Sequence, residues 1–235
     1  MGGIGDLFNG LAWVAVFGAG YTLLQLRKFW GEFRDDEISP RDRQLAGGVA
    51  FFLLMPIGVL LHEFGHMLAA WSTGSQVLGL HYFIYWGYVE YIPASASPLL
   101  AWYVALAGNF VSYLLGVGCL VAALYAPGLR LIARVVLMQL GILELAQTLI
   151  LYPLMSLDPH FVGDWNSIYS FQAPVASWAT LVVHLVSLAG FIYVLRANKR
   201  ARALLYGTSA GQPQATSPIT PHPPTPSTTR GEGES

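Results

Sequence analysis

Apolar residues gather in long runs separated by short polar stretches. The runs extend over about Leu7 to Leu26, Leu45 to Trp71, Pro98 to Tyr125, Leu131 to Met155 and Ala176 to Leu195. Each reaches the ~20 residues a helix needs to cross a bilayer. The pattern predicts an all-α polytopic membrane protein with about five transmembrane helices. Between the second and third runs, Ser75 to Ser97 alternates loosely, is rich in Tyr, Phe, Val and Ile, and ends in Pro93 and Pro98. That stretch predicts a short β-hairpin or re-entrant segment centred on Gly87. Ser39-Pro40 reads as a helix start and Gly74 as a helix end. Pro56 has no N–H to bond back to the carbonyl of Phe52, so a kink or local opening is expected there. The first run lacks a basic leading region and a small-residue cleavage site, and it is read as a retained span. After Arg202 the chain turns to Pro, Ser, Thr and Gly. The expected division is 1–44 for the first helix and a charged cytoplasmic loop, 45–206 for a membrane core, and 207–235 for a structureless tail.

Composition agrees with this picture. Of 235 residues, 54% are hydrophobic and only 11% charged, about half the charge of an ordinary soluble domain. A net charge of −1 gives no reason to expect a nucleic-acid partner. Cys119 is the single cysteine, so a disulfide within the chain and a cysteine zinc site are both excluded. All twelve Lys and Arg residues lie between runs one and two, at the start of run four, or after run five. Positive-inside counting then places the N-terminus outside and the tail in the cytoplasm of a multi-pass protein, expected in the cell membrane.

The second run contains His62-Glu63-Phe64-Gly65-His66. On a helix, His62 and His66 stand one turn apart on one face, a spacing at which two imidazoles hold one zinc ion. Glu63 is then placed to act as general base toward water activated at that metal. Three ionisable side chains inside an apolar span cost about 2.5 kcal/mol or more each at a bilayer centre, so they demand a partner. Gly65 carries no side chain between the histidines and lets another helix approach. A catalytic zinc takes a third protein ligand. Asp158, His160 and Asp164 lie in one polar-aromatic stretch on the side where the second run ends, and Glu90 lies in the predicted hairpin. Glu144, in mid-span, is read as partnered, with a role in supporting the site or the fold alongside Gln147 and not as a ligand. His184 is read as a hydrogen-bonded helix histidine and His81 as interfacial.

Leu61-His62-Glu63-Phe64-Gly65-His66 resembles the zinc motif of the site-2 protease family of intramembrane metalloproteases. Ala107-Gly108-Asn109-Phe110 is similar to that family's Gly-x-x-x-Asn-type helix. Leu151-Tyr152-Pro153-Leu154 is similar to the segment before its Asp-Gly ligand motif. The resemblance covers roughly residues 45 to 170. It implies a zinc cofactor and cleavage of peptide bonds in membrane-embedded protein substrates. It also implies a site role for Asn109, toward the developing oxyanion or the substrate strand. The chain departs from the family in having no Asp-Gly. By distance from Pro153, Asp158 aligns better. By local chemistry Asp164 is preferred as third ligand, because Gly163 frees the backbone and Asp164-Trp165-Asn166-Ser167-Ile168-Tyr169 looks like the start of a helix capped by Asp164. A second departure is depth: the charge pattern puts His66 about 7 Å from Trp71 at the outer end of its helix, whereas the family holds zinc nearer the cytoplasmic face. The contrasting function is non-catalytic, a metal-binding or client-binding pseudo-protease. Glu63 distinguishes the two, since a pure metal binder needs no base at that position. A serine hydrolase is disfavoured by the lack of a nucleophile-elbow motif.

Overall fold

The computed structural model describes residues 4–35, 37–158 and 160–207, with 4–12 described by backbone alone. The tail expected to lack structure lies, after Gly207, outside the described residues. The chain is a helical polytopic membrane protein. Its elements are α1 (Ile4–Lys28), α2 (Trp30–Phe33), α3 (Pro40–Ser72), β1 (Gln76–Tyr82), β2 (Gly87–Ile92), α4 (Pro98–Tyr125), α5 (Leu131–Met155), α6 (Asp164–Ile168), α7 (Pro174–Ala197) and α8 (Lys199–Tyr206). Among the described residues, α3, α4, α5 and α7 are long and apolar enough to cross a membrane. The first expected span is also a helix, α1, although it stands outside those four.

Local chemistry sets the ends of α3. Ser39 and Asp42 form a reciprocal capping box, with Pro40 at the first helical position, so the orphan N–H groups of the first turn are satisfied. At the other end Gly74 adopts φ +76°, and Ser75 N–H donates to Ala70 O at 3.0 Å. This is a glycine C-cap. The expected opening before the histidines takes the form of a π-helical turn over Val49–Leu54. A similar turn over Gln147–Leu151 precedes Pro153 in α5. Prolines disfavour the α register one turn upstream, and a π turn absorbs the mismatch.

The core lies between α4 and α5, where Leu120, Ala123, Leu124, Val135, Met138 and Leu145 are buried together, closed at one end by Leu45 and Ala46 of α3 and Ala201 and Leu204 of α8. Small residues bring the helices close. A Cβ on Gly65 would stand 2.8 Å from Ala107 O, and one on Gly141 2.9 Å from Gly116 O. Close backbone approach of this kind drives helix packing where lipid removes any hydrophobic advantage. Helix α7 packs at the edge and turns Val175, Trp178, Val182, Val183 and Val186 outward.

The hairpin reading holds. Strands β1 and β2 pair antiparallel, with a register shift between Val77 and Gly79. The turn falls at Phe83–Trp86, where Phe83 N–H donates to Trp86 O at 2.8 Å, so Gly87 opens the second strand instead of centring the turn. The hairpin folds back along α3. Tyr85 Oη donates to Phe51 O at 3.0 Å and Tyr82 Oη to Pro56 O at 2.8 Å. In the π register Phe51 O would take its hydrogen from residue 56, a proline without one, and Tyr85 supplies the missing donor.

Candidate metal centre

Helix α3 carries His62 and His66 on one face, and α4 lies directly across them. A side chain at Gly108 would overlap His66 Nε2 and stand 2.8 Å from His62 Nε2. Glycine there lets the α4 backbone roof the two rings. The third group arrives from α6, whose N-cap is Gly163, with Gly163 N–H donating to Asn166 Oδ1 at 2.8 Å. Asp164 is thus the first helical residue instead of the expected cap, and its side chain is left for the histidines. That helix is seated on α4 by an apolar cluster of Trp165 and Ile168 with Ala105, which aims Asp164 at the histidines. His62 Nε2 is 3.0 Å from His66 Nε2, and Asp164 Oδ2 is 3.2 Å from each.

The far side of each ring is anchored. His66 Nδ1 lies 2.7 Å from the carbonyl of Val104, which can only accept, so this nitrogen carries the proton. His62 Nδ1 meets Ser112 Oγ at 3.2 Å. Asp164 Oδ2 accepts from Asn109 Nδ2 at 3.1 Å and from Tyr152 Oη at 3.2 Å. Asn109 Nδ2 also donates to Ala105 O at 3.1 Å, so both its hydrogens are engaged.

This donor set fits zinc. With its proton on Nδ1, a neutral His66 presents the Nε2 lone pair to another nitrogen and to a carboxylate oxygen, and three acceptors that close repel unless a cation lies among them. Two imidazole nitrogens and one carboxylate, with a fourth position open, form a catalytic-type zinc set. Ligands about 2.0–2.2 Å from one ion in tetrahedral geometry stand about 3.3 Å apart, close to the separations here.

Glu63 flanks the cluster. It is 4% exposed and its Oε2 has no hydrogen-bond partner, an arrangement expensive for a carboxylate and common at working sites. The hairpin lies against it, since a Cβ on Gly87 would be 2.9 Å from Glu63 Cγ. Other acidic and histidine candidates stand elsewhere. Asp158 is exposed, its carboxylate accepting from His160 N at 2.9 Å. Glu90 pairs with His81 at 3.2 Å on the exposed hairpin. His184 engages Tyr169 Oη and the Leu149 carbonyl. The sequence reading assigned no role to Ser112 or Tyr152. A usable signal for Ser112 existed, because Gly108, Ser112 and Gly116 recur every fourth residue as a small-residue face. Tyr152 had none, since its partner lies beyond a turn in the chain.

Among curated proteins, the chain is 32% identical over 122 residues to a Synechocystis sp. protein named "Putative zinc metalloprotease". The matched stretch takes in 49% of this chain and 32% of that relative, so the chain spans about a third of the relative's length. No family model matches, and no solved structure does.

Proposed function

We propose that this chain is an intramembrane zinc metalloprotease of the site-2 protease type, hydrolysing peptide bonds of membrane-embedded protein substrates. The observation that carries the reading is the convergence of His62 Nε2, His66 Nε2 and Asp164 Oδ2 beside the buried Glu63 carboxylate, whose Oε2 is unpaired. The distant likeness to a zinc metalloprotease supports it.

When bound by His62, His66 and Asp164, zinc supplies Lewis acidity, lowering the pKa of water toward about 7 and polarising the scissile carbonyl. Glu63 takes the proton from the attacking water and delivers it to the leaving amine as the C–N bond breaks. Asn109 and Tyr152 hold Asp164 in place through its Oδ2. The roof of α4 and the hairpin keep bulk water from the base. A transmembrane substrate hides its carbonyls in helical hydrogen bonds and must unwind locally before attack. The hairpin's free strand edges suit an unwound peptide. On this reading residues 45–206 form the catalytic core.

Metal content measured beside cleavage of a membrane substrate tests the assignment. Glu63→Gln keeps near-stoichiometric zinc and loses cleavage by about 10²-fold or more. His62→Ala, His66→Ala and Asp164→Ala lose zinc and activity together. A Glu63→Gln variant that cleaves like wild type overturns the catalytic reading and leaves a metal-binding membrane protein.

A further inference from the structure

Glu144 sits in the middle of α5, 2% exposed, with Oε1 lacking any hydrogen-bond partner. No step of the proposed chemistry uses it. A carboxylate at that depth with one oxygen unpaired is costly and calls for an explanation. Its surroundings are specific. Gly58 lies one turn before His62 on α3, and a side chain there would overlap Glu144 Oε1. Gly116 makes room on the α4 side, where a Cβ would stand 3.1 Å from Glu144 Cβ. Two glycines on two helices thus admit one carboxylate to the face of α3 that carries His62. Between Glu144 and that ring stands Ser112, itself buried, which interacts with the Glu144 side chain and meets His62 Nδ1 at 3.2 Å.

The direction of this chain of hydrogen bonds is forced. If His62 Nε2 is the ligand atom, a neutral ring carries its proton on Nδ1 and donates it to Ser112 Oγ. The hydroxyl hydrogen of Ser112 must then find an acceptor, and the Glu144 carboxylate, with which Ser112 shares a side-chain hydrogen bond, supplies it. His66 is oriented differently, by the neutral carbonyl of Val104. The two histidines are therefore held by unlike partners, one of them backed by a carboxylate.

We propose that Glu144, acting through the Ser112 hydroxyl, is a positioning residue that fixes the orientation and tautomer of His62 for metal binding. This rests on the zinc-site reading above. Groups that orient a metal ligand from behind typically change metal affinity by about 10–100-fold when removed. Glu144→Met fills a similar volume without an acceptor, and in an apolar span it removes a buried polar group. A purely structural Glu144 would therefore leave zinc affinity untouched in this variant.

The test is the zinc dissociation constant of the full chain in detergent, by competition with a chromophoric chelator. Glu144→Met and Ser112→Ala each raise it about 10–100-fold. The double variant is no weaker than the weaker single, because both changes break one chain of bonds. Ser112→Thr, which keeps the hydroxyl, restores tight binding. Wild-type affinity in either Glu144→Met or Ser112→Ala, or effects that multiply in the double variant, overturns the proposal and leaves the metal centre standing. Wild-type protein that takes up no zinc overturns both.

Discussion

Gly108 shows how a residue with no chemistry of its own governs a site. Any side chain there enters the space where the two imidazole Nε2 atoms face Asp164. Gly108→Ala is therefore expected to lower zinc affinity by about 10–100-fold or more while the helices still form, as read by metal titration alongside circular dichroism. At this scale the motif on α3 was legible from spacing alone, because one helical turn fixes which side chains share a face. Asp164 could be favoured over Asp158 from the freedom Gly163 gives and the helix start that follows. Asn109 could be placed near the site only by resemblance, and its engagement with Asp164 gives it an orienting geometry. Tyr152 was not legible, and of Ser112 only its place on the small-residue face of α4 was, not its partner. Ser112 meets a partner 50 residues distant, and its rotational setting depends on how closely α3 and α4 pack.

Among the elements, the runs of apolar residues located every long helix, because bilayer thickness leaves little freedom in span length. The hairpin followed from its aromatic and β-branched alternation. The π turns did not, since their register is a compromise between an upstream proline and the packing of neighbouring helices. The hairpin's attachment was also hidden, because it consists of tyrosine hydroxyls meeting the carbonyls of Phe51, which Pro56 leaves without a donor, and of Pro56 itself. Burial, with Tyr82 alongside, pushes the Tyr85 phenol up to about 12, so its hydroxyl stays a donor at any ordinary pH. Tyr85→Phe and Tyr82→Phe each remove one anchor and should destabilise the hairpin by about 1 kcal/mol. Faster limited proteolysis within residues 76–92, with the thermal midpoint of the bundle little changed, is the expected result.

The whole molecule is polarised in charge. Arg43 donates to Leu204 O, Arg134 to Ala123 O and Ala126 O, and Arg200 to Leu124 O. These guanidinium groups therefore gather at one end of the bundle, where they also satisfy the terminal carbonyls of α4. The histidines, Asp164 and the base of the hairpin lie toward the opposite end. Positive-inside reasoning puts the basic end in the cytoplasm. A cysteine introduced at Gln76 should then react with an impermeant thiol reagent added from outside, and one at Glu37 should not. The reverse pattern would turn the molecule over and bring the metal centre to the cytoplasmic side.

His62 and Asp164 stand 102 residues apart in sequence, and α6 is otherwise seated by a small apolar cluster and by the bonds of Asn109 and Tyr152 to Asp164. An ion shared among them is thus also a cross-link, closing a loop that contains the hairpin, α4 and α5. Its affinity is spent partly on holding that loop shut, by about 2.7 kcal/mol when free zinc stands at a hundred times the dissociation constant. On the proposed reading, metal supply would bear on how long the assembled site persists as well as on whether it can react. Without the ion, α6 would be held to its neighbours only by that cluster and by the hydrogen bonds of Asn109 and Tyr152 to Asp164.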